Sequence, residues 1–177
     1  MRVSGGTGKG QRLKVPSGSR VRPTSDKVKQ ALFNILGDRV IDAAFLDLYA
    51  GAGGIGIEAL SRGAKRVVFV DSSRDSLAVI RRNIEQLGFG DRANVVQATA
   101  EAFLKKKSEL YDIVFLDPPY AEEMQPLLEL IGASGLIKQG TIVVAEHFKK
   151  QPSPQQAGSL SHYRDARYGD TVLAFYK

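Results

Sequence analysis

Ala44-Phe45-Leu46-Asp47-Leu48-Tyr49-Ala50-Gly51-Ala52-Gly53-Gly54-Ile55-Gly56 is the stretch on which the fold turns. Residues 44–49 are short and apolar apart from one acid, the pattern of a strand buried on both faces. Glycines follow in the spacing Gly51-x-Gly53-x-x-Gly56, and then an apolar run to about Arg62, closed by Gly63. Strand, glycine loop and helix in that order open a doubly wound α/β fold, whose ligands bind at the carboxyl ends of the strands. Residues 65–70 read as the second strand, ending at Asp71. That places an acid where a ribose-binding carboxylate belongs.

The remaining chain keeps the alternation. A helix is expected over 75–87, with Leu77, Ile80, Ile84 and Leu87 on one face and Gly88 as its stop. A third strand over 94–97 and a short helix over 100–106 follow. Residues 111–116, Tyr-Asp-Ile-Val-Phe-Leu, form a fourth strand that runs into Asp117-Pro118-Pro119-Tyr120. Two prolines cannot continue a ladder, so the backbone after Asp117 is stiff. A helix over 124–131, a fifth strand over 141–146, a polar linker over 149–159 and a hairpin of 162–167 with 171–176 around Gly169-Asp170 complete the pattern. The fold class is α/β: a Rossmann-like doubly wound sheet, mostly parallel, with an antiparallel C-terminal hairpin.

The N-terminal end is different in kind. Residues 1–39 hold nine Lys/Arg against two acids, whereas the rest of the chain holds 16 bases and 17 acids. The excess that makes the net charge +6 therefore sits at one end. Residues 1–11 are rich in glycine and polar groups and are expected to be flexible. Arg12 to Val15 and Arg20 to Val21 flank the turn-forming Pro16-Ser17-Gly18-Ser19, which suggests a basic hairpin. Thr24 or Ser25 can cap a following helix with Asp26 in its first turn, and Gly37 ends it. The expected division is a basic arm, hairpin and helix over 1–39 and an α/β domain over 40–177. A basic end on a neutral body suits a nucleic-acid partner, with Arg12, Lys14, Arg20 and Arg22 on phosphates.

Composition excludes several classes. There are no cysteines and only two histidines, so thiolate metal sites are impossible and a zinc centre is not expected. No run approaches the ~20 apolar residues of a membrane-spanning helix, and the first residues have no signal-peptide core. A cytoplasmic protein is expected.

Two ligand readings fit the glycine loop. The spacing and Asp71 match a nicotinamide dinucleotide fingerprint. Asp47, however, lies directly before the glycines, where a phosphate cradle wants no anion. A cationic ligand with an amino-acid end does want one. S-adenosylmethionine meets that condition: the glycines allow close approach, Asp47 faces the charged end, and Asp71 accepts from the ribose. Asp117-Pro118-Pro119-Tyr120 adds an acceptor carboxylate, a rigid carbonyl and an aromatic ring, a set suited to a flat group bearing an NH₂.

These residues carry a family resemblance. Asp47-Leu48-Tyr49-Ala50-Gly51-Ala52-Gly53, Asp71 and Asp117-Pro118-Pro119-Tyr120 look like the motifs of class I methyltransferases acting on amino groups. Ser4-Gly5-Gly6, Arg12-Leu13, Val15-Pro16, Arg22-Pro23-Thr24, Asp26-Lys27-Val28, Ala31-Leu32-Phe33-Asn34, Glu58 to Ala64 and Tyr168-Gly169-Asp170-Thr171 resemble the bacterial 16S ribosomal RNA guanine-N2 methyltransferases, the RsmD-like family. The resemblance implies a methyl transfer from S-adenosylmethionine to the exocyclic N2 of a guanine in small-subunit ribosomal RNA, free or in the assembled particle. It implies no metal and a monomer. It places Asp47, Ala50, Gly51, Gly53, Gly56, Asp71, Ser72, Thr99 and Ala100 around the cofactor, and Asp117, Pro118 and Tyr120 at the base. Thr99 departs from the Asp or Asn that many class I enzymes use for the adenine amine; Glu101 or a backbone carbonyl is the substitute. An adenine-N6 methyltransferase, a nicotinamide oxidoreductase and an inactive RNA-binding scaffold are the alternatives.

Overall fold

In the computed structural model, which describes residues 1–16, 25–106, 109–119 and 122–177, the strands join in one sheet of order β3-β2-β1-β4-β5-β8-β7-β6. The parallel members are β1 (Ala44–Leu48), β2 (Arg66–Asp71), β3 (Ala93–Gln97), β4 (Tyr111–Leu116) and the first partner of the C-terminal strands, β5 (Ile137–Phe148). Antiparallel β8 (Thr171–Tyr176) lies between β5 and β7 (Leu160–Tyr168). The two-residue β6 (Gln156–Ala157) pairs with β7 inside what the sequence suggested was only a linker. The order reverses between β1 and β4, and that switch point opens a crevice at their carboxyl ends.

Side-chain alternation builds the two core layers. Phe45, Val67, Phe69, Ile113, Phe115 and Val144 point to one face. There they meet α1 (Asp26–Leu36), α2 (Gly54–Ser61) and α3 (Arg74–Leu87). Leu46, Leu48, Val68, Val70, Val114 and Leu116 point to the other, under α4 (Ala100–Leu104) and α5 (Met124–Ala133). Phe45 and Phe69 are fully buried, and each such side chain contributes about 1.5–3 kcal/mol by leaving water. Gly56 lets α2 lie directly on β2, because a Cβ there would stand 2.3 Å from the Phe69 ring.

Ser25 caps α1, its hydroxyl accepting from the Val28 N–H, and Ser73 caps α3 in the same way. The Arg2–Arg12 bridge and the bonds Val3 N–H to the Gln11 carbonyl and Leu13 N–H to the Met1 carbonyl close residues 1–13 into a loop. The expected flexibility of residues 1–11 is therefore corrected. Val3 and Leu13 are buried in the same layer as Phe45. Ser4 donates to the Glu58 carboxylate from both its N–H (2.8 Å) and its hydroxyl (2.7 Å). Gly8 N–H donates to Ser61 Oγ at 2.8 Å, and Ser61 Oγ donates to the Gly5 carbonyl at 2.6 Å. Gly6, at φ +73°, sits so close to α2 that a Cβ would meet the Ser61 carbonyl. Composition suggested freedom, but Ser4, Gly5, Thr7 and Gly8 bond Glu58 and Ser61 of α2, and Lys29 of α1 holds the Arg2 carbonyl. The hairpin turn expected at 16–19 falls mostly outside the described residues.

Candidate active site

Register brings three strand ends level. Leu48 stands opposite Val70 on one side and Leu116 on the other. The next residue of each strand, Tyr49, Asp71 and Asp117, therefore emerges at the rim of the same crevice. Asp47 lies one residue back and is buried. Its Oδ2 accepts from the Gly56 N–H at 2.9 Å, tying β1 to the first turn of α2. Asp71 fixes the opposite side: Oδ2 accepts from the Gly51 N–H and Oδ1 from the Ser73 N–H, each at 2.8 Å. Two carboxylates thus shape the glycine loop from below and from the side.

Burial, with the repulsion of Asp117 and Asp71 added, raises the Asp47 carboxyl to about 7, even though the Gly56 N–H opposes the shift. Burial likewise raises Asp117 to about 7. Among the described residues no Lys, Arg or His forms an ion pair with Asp47, Asp71 or Asp117. Three acids converging without a cation form an electrostatic well for a positive ligand. A pyrophosphate fits this donor set badly, and the Gly56 N–H that would serve it is taken by Asp47. The sulfonium and ammonium of S-adenosylmethionine fit it well.

Tyr49 adopts φ +59°, a conformation uncommon outside glycine. Its hydroxyl donates to the Glu122 carboxylate, linking the glycine loop to the segment after the tetrapeptide. Burial first, and this bond second, push the phenol above its ordinary range. The Glu122 N–H donates to the Pro119 carbonyl at 2.9 Å. Pro118 is buried and Asp117 partly exposed. Sequence reading missed the Tyr49–Glu122 contact; a tyrosine followed 73 residues later by a glutamate carries no signal of pairing.

The other expected residues divide. Ala50 is buried, its N–H donating to the Val70 carbonyl. Gly53 is the N-cap of α2. Ser72 is exposed just past Asp71. Thr99 caps α4, its Oγ1 accepting from the Ala102 N–H at 3.2 Å, and Ala100 is buried in the first turn. Arg12 and Lys14 are exposed on either side of buried Leu13, as strand alternation requires. Lys29 is buried, donating to the Arg2 carbonyl and lying 3.4 Å from Glu58, so its charge is not displayed. Arg62 Nε donates to the same Glu58 at 2.8 Å. Burial alone would raise Glu58, but the bonds from Ser4 and Arg62, with the Lys29 charge, hold it below the usual carboxylate range. Tyr120, Arg20 and Arg22 lie outside the described residues.

Comparison with known proteins follows the same lines. A putative ribosomal RNA methyltransferase of Bacillus subtilis, YlbH, is 39% identical over 100% of this chain and 98% of its own length. The ribosomal RNA small subunit methyltransferase D of Escherichia coli K12 is 31% identical over 100% of this chain and 89% of its own. The solved structure of a putative methyltransferase of Escherichia coli, yhhF, superposes with a TM-score of 0.90 at 30% identity, covering 99% of this chain and 96% of that one. The class I methyltransferase fold and the resemblance drawn from the motifs are both upheld. The family model described as "Conserved hypothetical protein 95" matches residues 1–177, and the chain belongs to that family.

Proposed function

We propose that the protein transfers the methyl group of S-adenosylmethionine to the exocyclic N2 of a guanine in small-subunit ribosomal RNA. The observation that carries this reading is the acidic cluster of Asp47, Asp71 and Asp117 at adjacent strand ends, which no cation among the described residues pairs. Full-length similarity to a small subunit methyltransferase supports the choice of RNA.

S-adenosylmethionine, when bound, supplies an electrophilic methyl on a sulfonium and departs as a neutral thioether. The chain's own residues then have to orient a weak nucleophile, because the lone pair of an aryl amine is delocalised into its ring. The Asp117 carboxylate and the Pro118 carbonyl accept the two N–H bonds of N2 and turn the lone pair toward the methyl. As the C–N bond forms the amine becomes cationic, and Asp117, raised to about 7, is matched to take the released proton. Tyr120 supplies a ring for the guanine, which must leave its stack to enter the crevice. Asp71 accepts from the ribose hydroxyls, and Asp47 holds the loop and favours the positive end of the cofactor. Arg12, Lys14, Arg20 and Arg22 engage phosphates. The reaction calls for no metal. In this reading the protein works as a monomer in the cytoplasm, on small-subunit RNA either free or in the assembled particle.

The test is transfer of isotopically labelled methyl to naked small-subunit RNA and to assembled small subunits, followed by mass spectrometry of the nucleosides. Label in N2-methylguanosine is the expected result, and the substrate that takes it up shows whether RNA or particle is methylated. Label in N6-methyladenosine, or none on either substrate, refutes the assignment.

A further inference from the structure

Asn83 is a fully buried polar side chain on α3, and every hydrogen-bonding group it has is used. Its Oδ1 accepts from the Lys14 N–H at 2.8 Å. Its Nδ2 donates to the Lys14 carbonyl at 3.0 Å and to the Ala52 carbonyl at 3.3 Å. One amide thus grips both backbone groups of a residue in the basic segment and, with its remaining hydrogen, the middle of the glycine loop. The same segment touches that loop at a second point. The Met1 side chain packs over Gly54, where a Cβ would stand 2.5 Å from the Met1 sulfur, and the Met1 carbonyl accepts from the Leu13 N–H. Gln86, one turn along α3, donates to the Arg12 carbonyl at 3.2 Å. The segment that displays Arg12 and Lys14 is therefore seated on α3 and against the loop that shapes the cofactor site.

We propose that Asn83 is a positioning residue that couples the two substrates: phosphates held by Arg12 and Lys14 fix the segment, and through Asn83 fix the Ala52 carbonyl in the cofactor-binding loop. RNA and cofactor then bind cooperatively, each ordering what the other needs. The coupling rests on the reading of this chain as an RNA methyltransferase. It assigns a role to a residue that touches neither substrate. A buried amide whose bonds join two loops only for stability would lower the melting temperature but leave the two affinities independent of each other.

The experiment measures the affinity of S-adenosylhomocysteine, an unreactive stand-in for the cofactor, with and without saturating small-subunit RNA. Calorimetry serves for the wild type, Asn83→Leu and Asn83→Ala. The leucine fills the site without donors or acceptors, and the alanine removes the amide with less bulk. Thermal melts in saturating S-adenosylhomocysteine establish that each variant is folded. For the wild type, RNA should tighten the ligand by about 5-fold or more, the lower end of ordinary coupling. In whichever variant is folded this ratio should fall to about one, while RNA still binds through its phosphate contacts. A wild-type ratio of one, or a ratio unchanged in the variants, overturns the coupling and leaves the functional assignment standing. Failure of the wild type to bind small-subunit RNA, either free or in the assembled particle, overturns both.

Discussion

Replacing Asp47 by Asn should make the cofactor-free protein more stable and its site weaker. Asn keeps the oxygen that accepts from the Gly56 N–H and removes a charge that burial disfavours. The folded carboxyl titrates at about 7, against 3.8 for its ordinary value. The native state therefore binds more protons than the unfolded chain between those two pH values, and stability must fall as pH rises through that window. At about 1.4 kcal/mol per unit, the loss reaches at most about 4 kcal/mol by pH 8. For a chain of this size, 2–4 kcal/mol corresponds to a melting temperature higher by about 5–15 °C. Calorimetric melts of cofactor-free wild type and Asp47→Asn at pH 4 and pH 8 make the comparison. The two proteins should melt close together at pH 4 and diverge at pH 8, with the variant higher. S-adenosylmethionine should bind the variant about tenfold or more weakly at pH 8. Parallel pH profiles would refute the buried-charge account, and an unchanged affinity would refute the acidic well.

Asp117→Asn should lower single-turnover methyl transfer by about 10²-fold or more. The wild-type rate at limiting substrate should rise with pH toward a plateau above about 7, where Asp117 is ionised, and the variant should lack that limb. Tyr49→Phe cuts the bond to Glu122 while keeping the ring. It should lower kcat several-fold with little change in cofactor affinity, measured by calorimetry beside steady-state kinetics; a change in affinity alone would place Tyr49 in the cofactor pocket instead. Substituting Arg12 and Lys14 together by Ala should reduce the slope of RNA affinity against salt by about two phosphate contacts, and an unaltered slope would mean that these charges only solvate the surface.

The α/β body was legible because its signals are local. A buried strand followed by glycines and an apolar helix has few other readings, and β1, α2 and β2 appear within a residue or two of their expected places. Asp47, Asp71 and Asp117 were legible for the same reason: each acid closes or interrupts an apolar run. What escaped was set by distant partners. Residues 1–11 look like a free tail until Glu58 and Ser61 stand beside them, 54 and 53 residues on from Ser4 and Gly8, and Lys14 has no visible seat until Asn83 supplies one, 69 residues on. Lys29 counted toward a basic arm, yet its ammonium is enclosed with Glu58. Asn83 itself lies in a helix whose apolar stripe was read correctly, and nothing in a stripe tells a buried amide from a surface one.

The docking of the first residues also sets an order of assembly. A ribosome delivers Ser4 and Lys14 early, but the carboxylate and amide that hold them arrive only with α2 and α3. Until then the basic segment has no seat and its backbone groups face water. Contacts of such sequence separation close late, because a long loop must first be ordered. The nascent chain therefore completes the glycine loop and its two flanking helices before it can present Arg12 and Lys14 in a fixed array. A polypeptide stalled short of α3 carries the positive charges without the geometry that Asn83 and Glu58 impose on them.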